Sequence, residues 1–100
     1  MLKHIVLMKF KEGAADKDIR DMEEGLAGLP PKIPEILQYE FGRDGRKERS
    51  FDFALVSAFR DMDALKRYQT HPDHVVVLGK VRALCEKIVA ADFETGRQAP

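Results

Sequence analysis

The sequence predicts an α+β domain with a four-stranded antiparallel sheet, its elements running strand–helix–strand–strand–helix–helix–strand. Three observations predict it. Residues 2–10 and 51–59 carry apolar side chains at a period of two, the spacing of strands. Residues 16–29 and 72–88 repeat theirs every three or four positions, as helices do. Proline or glycine stands where the period changes, at Pro30, Pro31, Gly42, Gly45 and Pro72. The 100 residues suit one compact domain, expected over 1–96, with 97–100 as a short tail.

Composition narrows the function classes. With 44% apolar residues, 17 basic and 17 acidic side chains and no net charge, the chain has no electrostatic footprint for nucleic acid or an anionic membrane. A single cysteine excludes an internal disulfide framework and fits a reducing compartment. Cys85 lies on an apolar helix stripe, where it reads as core filler rather than nucleophile. There is no uninterrupted apolar run of the signal-peptide or membrane-spanning kind, so the expected location is cytoplasmic.

In the first strand Leu2, His4, Val6, Met8 and Phe10 share one face, and Lys3, Ile5, Leu7 and Lys9 the other. Asp16 is the expected cap of a helix reaching Leu29, with Ile19, Met22, Leu26 and Leu29 inward. Residues 36–42 read as the second strand, with Leu37, Tyr39 and Phe41 on one face. A polar loop with turn chemistry at Asp44 and Gly45 leads to the third strand. There Phe51, Phe53, Leu55 and Phe59 face one way, and Ala54, Val56 and Ala58 the other, with Asp52 at the edge. Asp61 caps a short helix over 61–69 with Met62, Leu65 and Tyr68 inward. Pro72 opens the next helix, where a missing N–H leaves no bond unmade. Its stripe is Leu78, Val81, Leu84, Cys85 and Ile88. Ile88–Phe93 forms the last strand, with Asp92 at an edge or an interface. This element order is the ferredoxin-like arrangement.

The first and third strands are apolar on both faces. An antiparallel sheet with one solvated face is polar on that side, and a chain this short has helices for one face only. The pattern therefore predicts a homodimer through the sheet.

Proton-handling residues crowd at one place, the joint between the last two helices, with Tyr68, His71, Pro72 and His74. His74 lies on the inward stripe, four residues before Leu78; His71 falls at the cap and faces water. Both burial and the positive end of the helix dipole favour neutral imidazole at His74, the form a general base needs. A half-buried Tyr–His pair is more often a satisfied piece of core. His4, however, shares the helix-covered face, so three such side chains converge on one cavity, with Leu26, Tyr39, Phe53 and Leu55 as its expected apolar walls. Such a concave apolar site with few polar groups is the usual form of a small-molecule site. His71 and His74 lack a third ligand at any zinc spacing, and no glycine-rich phosphate loop is present. No metal or cofactor is expected.

The spacing Tyr68, His71, Pro72, His74, the opening residues 2–11 and the central residues 51–59 resemble the stress-responsive α/β-barrel (Dabb) domain family. The resemblance runs over nearly the whole chain. It implies a ferredoxin-like fold whose sheet pairs with a second copy into a dimeric α/β barrel. It also implies site residues: in a polyketide cyclase of the family a histidine acts as base and a tyrosine assists, at positions matching His74 and Tyr68, with a further pocket histidine matching His4. A tyrosine of that pocket is replaced here by Leu26. Two functions are thus expected: a homodimeric domain binding a small apolar or carbonyl-bearing molecule between sheet and helices, or a cyclase-like lyase with His74 as general base and Tyr68 assisting.

Overall fold

The computed structural model describes residues 1–96, so the tail expected at 97–100 lies outside the described residues. Its elements are β1 (Leu2–Phe10), α1 (Asp16–Ala27), β2 (Gln38–Arg43), β3 (Phe53–Phe59), α2 (Met62–Thr70), α3 (Pro72–Leu84) and β4 (Cys85–Glu94). The strands form one antiparallel sheet in the order β2-β3-β1-β4, and the whole is ferredoxin-like. No described helix is long and apolar enough to cross a membrane.

Register decides which side chains share a face. His4 lies opposite Ser57 on β3 and Asp92 on β4, and Val6 opposite Leu55 and Ala90. These rows lie under the helices, and Leu2, His4, Val6 and Met8 are all buried. The alternate rows lie on the other face, with Ile5 between Val56 and Ala91 and Leu7 between Ala54 and Val89. The shortest dimension of the chain is 18 Å, one sheet plus one helix layer. Among the described residues no helix covers this second apolar face, and Val56 and Phe93 stand exposed on it.

Several elements differ from expectation at their ends. Ala15, not Asp16, is the N-cap of α1, and it makes no side-chain cap bond. The Asp16 carboxylate instead meets Arg20 and Arg43, an ion-pair choice that takes it away from the backbone. The helix stops at Ala27, and Leu29 is buried in the turn beyond it. Leu37 precedes β2 and is 52% exposed rather than packed with Tyr39 and Phe41. Phe51 precedes β3. Asp52 is no bare edge residue: its carboxylate accepts the Phe10 N–H at 2.8 Å and Arg49 at 3.0 Å.

Asp61 caps α2 through the Ala64 N–H at 2.9 Å. Met62, expected inward, is 45% exposed because it occupies the first helical position, off the sheet; Ala64, Leu65 and Tyr68 are buried instead. In α3 the buried pair is Val77 and Val81, while Leu78 and Leu84 are half-buried. Cys85 and Ile88 belong to β4, which is longer than the expected 88–93. Helix α1 approaches α3 at Gly25, where a Cβ would come within 3.2 Å of a Val77 methyl. Val77 is buried at that contact.

Candidate functional site

The site begins with a local constraint. The residue before a proline is pushed out of the helical region, and His71 accordingly has φ −62° and ψ 133°. It ends α2 and caps α3 at once, its Nδ1 accepting the Asp73 N–H at 3.1 Å. The ring is half-buried, not wholly turned to water as expected, because the cap holds it against the helix end.

One turn into α3, His74 donates from Nδ1 to the Gln69 carbonyl oxygen at 3.1 Å, and its ring centroid lies 4.3 Å from that of Tyr68. A carbonyl can only accept, so the proton sits on Nδ1 and Nε2 keeps its lone pair. Burial pushes the His74 imidazole below its ordinary value, against a smaller opposite effect of the Gln69 carbonyl.

Tyr68 is 1% exposed and stands among Phe59, His4, Tyr39 and His74. Its hydroxyl shares a 2.8 Å hydrogen bond with that of Tyr39. Burial raises both phenols above the ordinary range, so both remain protonated. With Tyr39 donating to the Tyr68 oxygen, the Tyr68 proton is left free to point elsewhere.

His4 enters from the sheet. Its Nδ1 bonds the carboxylate of Asp92, its direct cross-strand partner on β4. Ser57, its partner on β3, donates to the His4 carbonyl at 3.2 Å. Among the described residues His4 Nε2 has no hydrogen-bond partner, and no fully buried side-chain nitrogen or oxygen lacks one. Nε2 therefore reaches open space, and the space beside it is a cavity.

That cavity, about 170 Å³, lies between the sheet and α3. His4, Tyr68 and His74 supply its polar wall; Val6, Met8, Leu26, Leu55, Val77 and Val81 supply much of the rest. Among the described residues no Lys, Arg, Asp or Glu lines it. Its outer rim is formed by Leu78 of α3 with Ile88 and Ala90 of β4, where the helix does not close over the edge strand.

Of the expected residues, His4, Leu26, Leu55, Tyr68 and His74 thus line one cavity. Tyr39 and Phe53 do not, which corrects that part of the expected wall. Tyr39 lies on β2, the edge far from β4, and reaches the site only through the Tyr68 hydroxyl. Phe53 is fully buried, stacked on Phe41 with centroids 5.8 Å apart. Asp92 and the rim residues Ile88 and Ala90 were not foreseen as site residues. Strand parity puts 88, 90 and 92 on one face, and only the pairing of β4 with β1 sets Asp92 beside His4. Among the described residues no group of three His, Cys, Asp or Glu is placed to hold a metal ion. Burial pushes the Cys85 thiol up to about 11, away from the thiolate form a nucleophile uses.

Known proteins share this architecture. A stress-response A/B barrel domain-containing protein of Arabidopsis thaliana is 30% identical over 95 residues, spanning 91% of this chain and 83% of its own. Olivetolic acid cyclase of Cannabis sativa is 23% identical over 92% of this chain and 94% of its own. A dimeric protein of unknown function and ferredoxin-like fold from Bacteroides fragilis superposes with a TM-score of 0.86, at 30% identity, covering 94% of this chain and 95% of its own. Its dimeric state supports a homodimer here, in keeping with the uncovered apolar face. The model of the stress responsive A/B barrel domain matches residues 2–95, and with fold, sheet and length all in agreement the chain belongs to that family.

Proposed function

We propose that this protein is a cytoplasmic homodimer that takes a small, uncharged, carbonyl-bearing molecule into the cavity between sheet and α3. The observation that carries this reading is the lining: an apolar cavity of about 170 Å³ whose polar groups are the two imidazoles and the phenol of His4, His74 and Tyr68. A phenol that stays protonated donates to a carbonyl oxygen, whereas a wall without cationic side chains offers nothing to offset a buried carboxylate. The buried free thiol of Cys85 fits a reducing location. Thermal unfolding tests the reading with two probes of similar skeleton. Phenylacetone should raise the melting temperature in a saturable way and phenylacetate should not. Equal stabilisation by both, or by neither, would sink it.

A second reading has its own support. His74, neutral with a free Nε2, can take a proton from carbon between two carbonyls while the Tyr68 hydroxyl donates to the enolate oxygen. This is the chemistry a cyclase-like lyase needs, and a cyclase stands among the relatives. Under it, Tyr68→Phe and His74→Ala each abolish turnover of a poly-β-keto substrate and leave the dimer intact. Turnover that survives both substitutions would remove this reading.

A further inference from the structure

The second reading uses one base, yet the cavity presents two oriented imidazoles. His74 hangs from the helix side with Nδ1 tied to a backbone carbonyl. His4 rises from the sheet side with Nδ1 tied to the carboxylate of Asp92. Both lie against the Tyr68 ring, with centroids at 4.3 Å for His74 and 6.5 Å for His4. In each case an acceptor fixes the proton on Nδ1 and leaves the Nε2 lone pair unengaged among the described residues. A histidine oriented by a carboxylate is the arrangement that stabilises an imidazolium as it forms; here the carboxylate stands on the edge strand, partly exposed, and the imidazole is buried. Ser57, bonded to the backbone of His4, holds the strand but not the ring.

We infer that Asp92 and His4 form a second base, oriented independently of His74, and that the cavity exchanges the α-protons of an uncharged ketone from both the sheet side and the helix side. This rests on the reading that an uncharged carbonyl compound occupies the cavity. The step balances without an oxidant or a second substrate. One Nε2 takes a proton from the α-carbon, and the C–H pair moves into the enolate, whose oxygen accepts from the Tyr68 hydroxyl. That imidazolium loses its proton to water. A proton from water then returns to carbon through the same or the other imidazole, and the enolate pair becomes the new C–H bond. Asp92 touches no substrate; it is a positioning residue acting through His4. The cavity would thus serve an enolising or isomerising reaction on ketones with acidic C–H bonds on either side of the carbonyl.

The experiment follows loss of the α-proton signals of phenylacetone in deuterium oxide by NMR, with binding measured separately by titration. Asp92→Asn and His4→Gln should each slow exchange by about tenfold or more, Asp92→Asn should change affinity by less than about twofold because Asp92 does not line the cavity, and Asp92→Glu should recover much of the rate. The imidazole nitrogen shifts of His4 should change in Asp92→Asn and those of His74 should not, which a merely structural role of Asp92 would not produce. If Asp92→Asn fails to fold, His4→Gln carries the rate comparison and Asp92→Glu the rescue. Binding without exchange in the unaltered protein, or exchange unchanged in both Asp92→Asn and His4→Gln, overturns the two-base inference and leaves the binding reading standing. No binding of phenylacetone at all overturns the binding reading, and the inference with it.

Discussion

Tyr39 of β2 and Tyr68 of α2 join their hydroxyls in a 2.8 Å hydrogen bond, linking the far edge of the sheet to the helix joint that carries His74. Neither phenol has another side-chain hydrogen bond among the described residues, so each depends on the other. Tyr68→Phe and Tyr39→Phe should each lower stability by about 1 kcal/mol, the usual size for one part-buried hydrogen bond. The double substitution should cost clearly less than the sum of the two. Denaturant unfolding of the four proteins measures this, and strict additivity would show that the bond contributes nothing.

Burial of His74 has a consequence for pH. Its imidazole sits below the ordinary 6.5 when folded, so between the two values the unfolded chain binds more protons than the folded one. This contribution to stability is complete above about 6.5 and is lost as pH falls toward the folded value. His74→Gln should flatten that part of the stability profile. A base that stays neutral to lower pH also keeps working there, so any proton-transfer rate that depends on His74 should hold below 6.5 before it declines.

Asp52 behaves in the opposite region. The Phe10 N–H holds its carboxyl below the ordinary 3.8, and Arg49 adds to that effect. Its contribution is present above the ordinary value and lost as the pH falls through the depressed one. Asp52→Ala should destabilise by about 1–2 kcal/mol at neutral pH, since the Phe10 donor loses its acceptor. The loss should shrink in acid, as chemical denaturation at two pH values would show; an equal loss at both would contradict it.

The uncovered face of the sheet yields a prediction about assembly. Val56 lies at its middle, 38% exposed, between Glu40 on β2 and Ile5 on β1. A carboxylate there would be buried in the interface directly beside Glu40, a like charge. Val56→Asp should elute with the mass of one chain where the unaltered protein elutes with that of two. Elution of the variant as a dimer would place the interface elsewhere.

Much of this was legible in the sequence, and the residues show why. Strand parity in 2–10 and 53–59 placed His4 under the helices and Ile5 and Leu7 on the opposite face, because a period of two leaves no other choice. Pro72 placed the α2–α3 joint, because it forces the preceding residue out of helix. Helix phase failed where tertiary contact decided it. Gly25 lets α1 close on Val77, and so Val77 packs inward where Leu78 was expected. Met62 had the right spacing but stands at the helix end, beyond the sheet. The partner of His4 was hidden because pairing across β1 and β4 joins residues 88 positions apart, and parity alone does not say which strand lies beside which. Tyr39 was misplaced for the same reason: its face was right, but the strand order put it on the far edge.

The cavity itself is tested most directly by titrating the protein with phenylacetone while recording the ring resonances of His4, His71 and His74. Those of His4 and His74 should move together and saturate at one common concentration, and those of His71, outside the cavity, should stay in place. Saturable shifts confined to His71, or no saturable shift at His4 and His74, would contradict a ligand site between sheet and α3.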